Sequence, residues 1–454
     1  MSSCCPSPEP VAAPSCCAPA ATDAKAIVHA GVSITDITAA VDGSPIRDPW
    51  PFLMPSWVKG TEDALPEAKP WHTVARNQEG EVAFLPGFVF DSPSLVDADP
   101  RIYLGWQPAT GESACCGATS CCDSASQVDA LGEEQFFPAL VLGSPLGYRS
   151  EAPSTSADPL LVADLIDQLV PAALDAGIKT IVAPWIADRQ DNNALLISLR
   201  ANGAGVAFWG EDHHFPIQHD SHEAYLASLT SRKRNKFKGD HDRAAASGVR
   251  IVRRDRDELL PYVDRIAELT GLNRQKYDGG EGPEHLRPLL RTLIEEGADV
   301  RAYLGEKDGA TVASVLTIRQ GDRLFVKWAG FDYDAIGERS GLYFTLVMDA
   351  PVRDAHAEGL ASVEFGPGAD EAKRLRGCSQ RTIQSALLVA DPALREQVAG
   401  WQAAFGAERR TALGADQAES KPGARRFFGR RAAQESSGSC CTPVEPAPKS
   451  ACCG

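Results

Sequence analysis

The chain has 454 residues, 43% of them hydrophobic, and its 61 acidic side chains outnumber 45 basic ones to give a net charge of −16. This length exceeds that of one ordinary domain, and the hydrophobic content supports well-formed cores. An acidic chain is excluded as a non-specific binder of duplex DNA, so any contact with nucleic acid requires a local basic patch.

The sequence also predicts the cellular compartment. No apolar run approaches the ~20 residues of a membrane-spanning helix, so we expect no membrane span. The N-terminal sequence MSSCCPSPEPVAAPSCCAPA lacks the positive and apolar segments of a secretory signal. We therefore expect a cytoplasmic protein, in whose reducing environment thirteen cysteines do not form a structural disulfide framework.

Composition divides the chain into four parts. Residues 1–45 and 416–454 are rich in Pro, Ala, Ser and Cys without apolar periodicity, which predicts disordered tails. Between them, strand-like and helix-like segments alternate, which predicts an α/β (α+β) fold. We expect a first lobe over residues 46–218, with a cysteine-rich loop at 111–130, and a second lobe over 219–415 that holds the catalytic core.

In the first lobe, short apolar stretches flank one long amphipathic segment. EVAFLPGFVF (81–90) predicts a strand, and QFFPALVLGSPLGY (135–148) predicts a buried strand followed by a loop. Apolar residues at helical spacing over 159–177 predict a helix that ends on a glycine. KTIVAPWI (179–186) and GVAFWG (205–210) then predict two further strands.

The second lobe shows a clearer order of elements. Residues 221–248 predict a helix pair or one long helix. The stretches DVRAYLGEK, TVASVLTIRQ and RLFVKWAGFD follow, joined by Asp-Gly and Gly-Asp turns, which predicts an antiparallel meander. Residues 341–359 predict a helix, and residues 361–368 predict a strand that runs into a Gly-Pro-Gly turn.

Four segments form a series along these lobes. They are DPWPFLMPSWVKGTEDA (48–64), FFPALVLGSPLGYR (136–149), LTSRKRNKF (229–237) and VEFGPGADEAKRLRG (363–377). The series, with the order helix pair, meander, helix and strand, resembles the FemAB-like branch of the GNAT acyltransferase superfamily over about residues 48–400. The resemblance implies two tandem GNAT-like lobes with mixed, largely antiparallel sheets. It also implies transfer of an acyl or aminoacyl group to an amine.

The resemblance suggests three catalytic candidates. It places Lys373 in the acceptor or donor cleft, where a fixed cation stabilises a developing oxyanion or binds phosphate. Glu364 is a candidate base if it lines the cleft, since burial raises the pKa of a carboxyl group; a surface glutamate at the strand edge is the alternative. Lys327 lies on the third meander strand, which in a GNAT fold accompanies the pantetheine arm of the donor.

Other residues are candidates for binding the donor or substrate. Trp328 neighbours Lys327 on the same strand, and its alternative is an ordinary core position. Gly366 and Gly368 allow close approach of a ligand to the backbone, or else only form a tight turn. Arg376 follows two helical turns later, either as a binding cation or on a solvated basic face.

Two further features concern the phosphates of the donor. A basic run in so acidic a chain could hold the phosphates of coenzyme A or of a tRNA end, with a solvated helix face as the alternative. The run contains Arg232, Lys233, Arg234 and Lys236. Where GNAT enzymes carry their glycine-rich pyrophosphate signature, only Arg339 and Gly341 remain. Both acyl-CoA and aminoacyl-tRNA therefore stay open as donors.

Twelve of the thirteen cysteines occur as adjacent pairs. Adjacent cysteines rarely form a disulfide with each other, whereas their thiolates suit soft ions such as Cu(I), Zn(II) or As(III). The spacing Cys-Cys-x4-Cys-Cys makes one loop a candidate metal site, with Cys115, Cys116, Cys121 and Cys122 as ligands. A redox or lipid-anchoring role of the cysteine-rich segments is the alternative.

These features predict an enzyme that moves an acyl group to an amine on a small molecule or peptide, with tRNA as a partner if the donor is aminoacyl-tRNA. Orientation of the reactants and oxyanion stabilisation are expected to carry the catalysis. The alternative is a soft-metal or metalloid-binding protein built on a catalytically degenerate GNAT scaffold.

Overall fold

The computed structural model describes residues 25–42, 44–47, 49–106, 127–187, 193–277, 282–337 and 339–413. The described residues up to Leu413 form one compact unit. All six cysteine pairs, and with them the predicted metal ligands Cys115, Cys116, Cys121 and Cys122, lie outside the described residues, as does most of the two predicted tails.

The strands of the described part form two sheets. They are β1 (Ile27–Val32), β2 (Lys69–Pro70), β3 (His72–Arg76), β4 (Val82–Leu85), β5 (Gly87–Phe90), β6 (Ala139–Leu142), β7 (Thr180–Ala187), β8 (Gly205–Pro216), β9 (Arg250–Asp255), β10 (Val300–Lys307), β11 (Ala310–Gln320), β12 (Arg323–Phe331), β13 (Ser362–Gly366) and β14 (Ser379–Val389).

Helices cover the sheets and connect their strands. They are α1 (Ile34–Val41), α2 (Pro55–Ala64), α3 (Pro159–Asp175), α4 (Asn193–Ala201), α5 (His222–Ser228), α6 (Ser231–Ala246), α7 (Val263–Tyr277), α8 (Pro283–Glu295), α9 (Tyr333–Ile336), α10 (π-helical over Tyr343–Asp349, then α-helical over Ala350–Ala357), α11 (Asp370–Leu375) and α12 (Pro392–Ala412). Across the described ranges, no helix combines the length and apolar character needed to cross a membrane.

The large sheet contains eleven strands in the order β2-β5-β6-β7-β14-β8-β13-β12-β11-β10-β9, and β1, β3 and β4 form a separate small sheet. Within the described part, the neighbours in both sheets are antiparallel except for the parallel pairs β6–β7 and β12–β13. The predicted α/β fold with mixed, largely antiparallel sheets is therefore confirmed.

The strand β14 joins the two halves of the chain. It pairs with β7 and with β8, both of which precede residue 218. Both predicted lobes thus contribute strands to one continuous sheet. The lobe boundaries at 46–218 and 219–415 remain a prediction.

Each parallel pair is spanned by a helix that packs on its own two strands. Leu165 of α3 belongs to one apolar cluster with Leu140 of β6 and Ile181 of β7. Leu346 of α10 belongs to another, with strands β12 and β13. The π-helical start of α10 precedes Pro351, which lacks the N–H that a regular α-helical hydrogen bond requires.

The local predictions for the second lobe hold closely. The meander β10–β11–β12 is confirmed, with left-handed residues at its turns, Asp308, Gly309 and Gly321. The segment 221–248 forms two helices, because the Thr230 side chain accepts a hydrogen bond from the Lys233 backbone and starts a new helix.

Two predictions for the N-terminal part are wrong. The first concerns residues 27–41, which fall in the predicted disordered tail. Instead, β1 pairs with β3 in the small sheet, and a capping box at Ser33 begins α1. This short segment is therefore ordered by pairing with a strand that follows it in the chain. The stretch 81–90 is two strands in different sheets, because Pro86 between them lacks an N–H to continue one ladder.

Candidate functional site

Strands β12 and β13 pair only briefly before they separate. Their parallel pairing joins residues 323–325 with residues 362–364. Beyond that point a cleft of about 1420 Å³ opens, lined by residues 326–329 of β12 and by residues 365–368 at the end of β13. Separation of two parallel strands therefore exposes backbone and side chains of both to a ligand.

A bulge in β12 sets the side chains on this wall. Relative to β11, one extra residue of β12 is accommodated between Val326 and Ala329, and such a bulge re-aims the side chains within it. Trp328 is buried and stacks on Trp57 with ring centroids 5.5 Å apart. The Lys327 ammonium lies 4.9 Å from the centroid of the Trp328 ring. Both predicted residues line the cleft.

Cations gather on another part of the cleft wall. They come from α6, α7 and the residues just before α10, namely Arg243, Arg274, Lys276 and Arg339. Gly341 lies among them with a φ of +76°, and a Cβ there would stand 2.4 Å from the Asp240 carbonyl oxygen. The predicted pair Arg339 and Gly341 thus lies where a basic wall meets the start of a helix, an arrangement that suits an anion.

Lys373 lies at the cleft but is fully occupied. It is buried, and its Nζ donates to the carbonyl oxygens of Phe365 at 3.1 Å, Gly366 at 2.9 Å and Pro367 at 2.9 Å. Burial lowers the pKa of Lys373 to about 8. An ammonium has three donors, and here all three are used by carbonyl oxygens. This geometry favours a role in holding the turn at 366–368, in which Gly366 and Gly368 both have positive φ. Its predicted contact with an oxyanion remains a prediction.

Glu364 is buried and is not among the residues that line the cleft. Its oxygens accept hydrogen bonds from Ser362 Oγ at 2.9 Å and from the Arg381 guanidinium. Arg381 also binds Asp212, to which the wholly buried Arg149 donates as well. Burial alone would raise the pKa of Asp212, but the two guanidinium groups outweigh it and hold that pKa at about 2. The prediction that Glu364 is a base in the cleft is therefore not supported by its position, since the side chain serves a buried ion-pair network.

Arg376 is also buried and lies outside the cleft lining. Its guanidinium pairs with Asp240 and stands 3.4 Å from the centroid of the Phe344 ring. Both partners line the cleft. Arg376 therefore braces residues of α6 and α10 at the basic wall instead of presenting a free cation to a ligand.

The predicted basic run lies on the exposed first half of α6, and none of its members lines the cleft. Arg234 donates to the carbonyl oxygens of Ala227 at 2.8 Å and Leu229 at 2.7 Å, which caps the end of α5. Arg232, Lys233 and Lys236 remain exposed to solvent. Asp240 and Arg243, one and two turns further along α6, do line the cleft.

Three titratable residues beside Lys373 were missed by the sequence analysis. Glu211 and His213 lie two residues apart on β8, and Asp370 begins α11. One ligand atom from each lies within 4.8 Å of the others, so they could hold a metal ion. Glu211 and Asp370 line the cleft. The signal was the Glu-Asp-His-His sequence after Gly210, where alternate residues of an extended strand share a face.

The electrostatics of this trio favour proton transfer over metal binding. Burial, aided by the Lys373 ammonium, lowers the pKa of His213 to about 4, and the same positive charge opposes a divalent cation. Burial raises the pKa of Glu211, to which Gln380 donates a hydrogen bond. A cleft-lining carboxylate with a raised pKa has the properties of a general base.

The comparisons with known proteins agree with this architecture. Residues 231–374, from the start of α6 to α11, match the family model of the acetyltransferase (GNAT) domain. No curated protein sequence matches the chain. The GNAT-like fold that the four motifs predicted is thereby confirmed.

Similar solved structures are distant in sequence. FemX is 13% identical, with a TM-score of 0.48, covering 81% of this chain and 98% of its own. A tandem GNAT protein from the clavulanic acid biosynthesis pathway is 13% identical, with a TM-score of 0.43 and coverages of 81% and 99%. L-PGS from Bacillus licheniformis is 12% identical, with a TM-score of 0.45 and coverages of 81% and 96%.

Proposed function

We propose, from the GNAT domain that residues 231–374 carry, that this protein is an N-acyltransferase or aminoacyltransferase. The observation that carries the proposal is the cleft where β12 and β13 separate, because it places a basic wall and a carboxylate of raised pKa in one cavity. An acyl donor that bears phosphate and an acceptor amine need those two surfaces.

The donor occupies the separation between the strands. Its phosphate groups lie against Arg339 and the start of α10, where cations and a helix N-terminus stabilise negative charge. Its acyl carbonyl then points toward the turn that Lys373 holds. Coenzyme A thioesters and aminoacyl-tRNA share this chemistry, since each joins a reactive acyl group to a phosphate-bearing carrier.

The reaction forms one bond and breaks another. The acceptor amine attacks the acyl carbon, so that a C–N bond forms and the C–S or C–O bond to the carrier breaks. Glu211 takes the proton that the amine loses and passes it to the thiolate or alkoxide as the carrier departs. Orientation within the cleft supplies much of the remaining acceleration.

The test is an assay of the full chain against two donor series. Purified protein is incubated with CoA thioesters of short and long acids, or with a mixture of aminoacyl-tRNAs, together with a pool of small amines and peptides. Mass spectrometry should detect amide products with one donor series, and Glu211→Gln should slow their formation about a hundredfold or more. If neither series yields an amide while both donors remain intact, the proposal is wrong.

A further inference from the structure

The cleft wall near Glu211 holds an unpaired cation as well as carboxylates. Arg409 of α12 lines the cleft beside Trp209 of β8 and Trp185 of β7. Its Nε donates to the Trp209 carbonyl oxygen at 2.8 Å, and its guanidinium carbon stands 4.2 Å from the centroid of that ring. The guanidinium is therefore fixed in place with its plane supported by an aromatic face.

Nothing in the described part of the chain neutralises this guanidinium. No carboxylate there lies within ion-pair distance of Arg409, and burial lowers its pKa. A partly buried cation without a partner is unfavourable unless an anion arrives. The two terminal nitrogens of a guanidinium match the two oxygens of a carboxylate.

The matching anion of the protein lies close by but does not pair with it. Asp370 lines the same cleft as Arg409 and favours its charged form, although no ion pair joins the two in the described part of the chain. Asp370 Oδ1 is buried without a hydrogen-bond partner and stands 3.6 Å from His213 Nδ1. The cleft thus offers an ammonium a carboxylate without a hydrogen-bond partner at Oδ1, and offers a carboxylate a guanidinium without an ion pair, so the space they line suits both groups.

We propose that this space binds an acceptor that carries its amine and a carboxylate close together, as a free α-amino acid does. The ammonium lies at Asp370 and Glu211, and the carboxylate pairs with Arg409 above the Trp209 ring. The side chain of the acceptor meets the apolar residues that line the same cleft, Leu95, Val96, Trp185 and Leu413.

This inference rests on the proposed function and names its acceptor. The ammonium of the amino acid gives one proton to Glu211, the free amine attacks the acyl carbon, and the second proton that the nitrogen loses leaves with the carrier. The carboxylate takes no part in bond making and stays on Arg409. The product is an N-acyl or N-aminoacyl amino acid with a free carboxylate.

The test measures binding without any donor, so its outcome does not depend on transfer. Saturation-transfer NMR and calorimetry on the full chain would compare L-leucine and L-phenylalanine with their α-amides and with the corresponding amines that lack the carboxylate. The amino acids should bind, whereas both carboxylate-free series should bind at least tenfold more weakly. Equal binding of amides and acids would overturn the inference.

Matched variants sharpen this result. Arg409→Met should weaken amino-acid binding about tenfold or more. The affinity of Arg409→Lys should lie between those of Arg409→Met and the wild type, because lysine keeps the positive charge but lacks the two parallel N–H donors of a guanidinium. Arg410→Met is the control, since Arg410 neighbours it on α12 but does not line the cleft. Circular dichroism verifies that each variant is folded. Unchanged binding by a folded Arg409→Met protein would remove the assignment, while amide formation with other amines would leave the proposed function standing.

Discussion

The two parallel crossovers of the sheet, β6–α3–β7 and β12–α10–β13, follow the same plan but end differently. In the first, the loop after β6 folds back between the strands: Ser150 donates through Oγ to the Leu142 carbonyl at 2.7 Å and through its backbone N–H to the Trp185 carbonyl at 3.3 Å. In the second, the described residues leave the space between the strands open as the cleft. One crossover is sealed and the other is open.

The sealed crossover braces the open one. The loop that closes it carries Arg149, which enters the buried network with Asp212, Glu364 and Arg381. Next to it, the Tyr148 ring packs so closely on Gly366 that a Cβ there would stand 3.1 Å from it. The two crossovers therefore differ in what they contribute to the structure, since one supplies a rigid brace and the other an open cleft.

The largest expected effect concerns this brace. Arg149→Met leaves the buried Asp212 with one guanidinium fewer, and breaking such a pair typically lowers the free energy of unfolding by about 3–5 kcal/mol. Urea denaturation followed by fluorescence measures the change. Arg353→Met is the control, because that side chain is 54% exposed and its nearest carboxylate oxygen lies 3.9 Å away. Equal denaturation midpoints for the two variants would show that the network contributes little.

A substitution in the open crossover should change catalytic activity more than it changes the free energy of unfolding. Glu211→Gln is expected to lower kcat about a hundredfold or more by removing the proton acceptor, with little change in the denaturation midpoint. Since burial raises the pKa of Glu211 above its ordinary value of 4.5, wild-type kcat/KM should rise with pH through a value above 4.5, and this limb should vanish in the variant. Glu223→Gln, on the exposed face of α5, is the control. A variant with the wild-type pH profile would exclude Glu211 as the base.

Lys373 should produce a smaller effect that depends on pH. Its pKa is about 8 in the folded protein against 10.5 for the free side chain, so between these values the unfolded chain binds the additional proton. The free energy of unfolding should therefore rise from pH 8 toward pH 10.5 more steeply in the wild type than in Lys373→Met. Chemical denaturation at several pH values measures the difference. Parallel stability curves would mean that Lys373 is not desolvated in the fold.

The sequence predicted what depends on neighbouring residues. The meander followed from Asp308-Gly309 and Gly321-Asp322, whose turns are local. Motif order singled out Lys327, Trp328, Arg339 and Gly341, which line the cleft, while their roles stay predictions. The alternation of β13 showed that Glu364 and Phe365 face opposite sides, but not which side is the cleft.

The missed residues share a different cause. Glu211 and Asp370 are 159 residues apart in the chain, and only the pairing of β8 with β13 brings them together. Arg409 approaches Trp209 in the same way, through a helix that packs on a distant strand. Such convergence is a property of the tertiary structure, and no local pattern records it.

The smallest expected effect lies outside the cleft, on the exposed half of α6. Changing Arg232, Lys233 and Lys236 together to Gln should weaken donor binding only several-fold at low salt and reduce its salt dependence, because exposed cations act through screened, long-range attraction. Arg234 is kept, since it caps α5 and its loss would alter the fold.

The control changes three exposed cations elsewhere to Gln, namely Lys69, Arg250 and Arg353. Donor affinity measured from 20 mM to about 300 mM salt should separate the two triple variants if phosphates run along α6. If both triple variants show the same salt dependence, the basic run only solvates the helix, and the donor lies wholly within the open crossover.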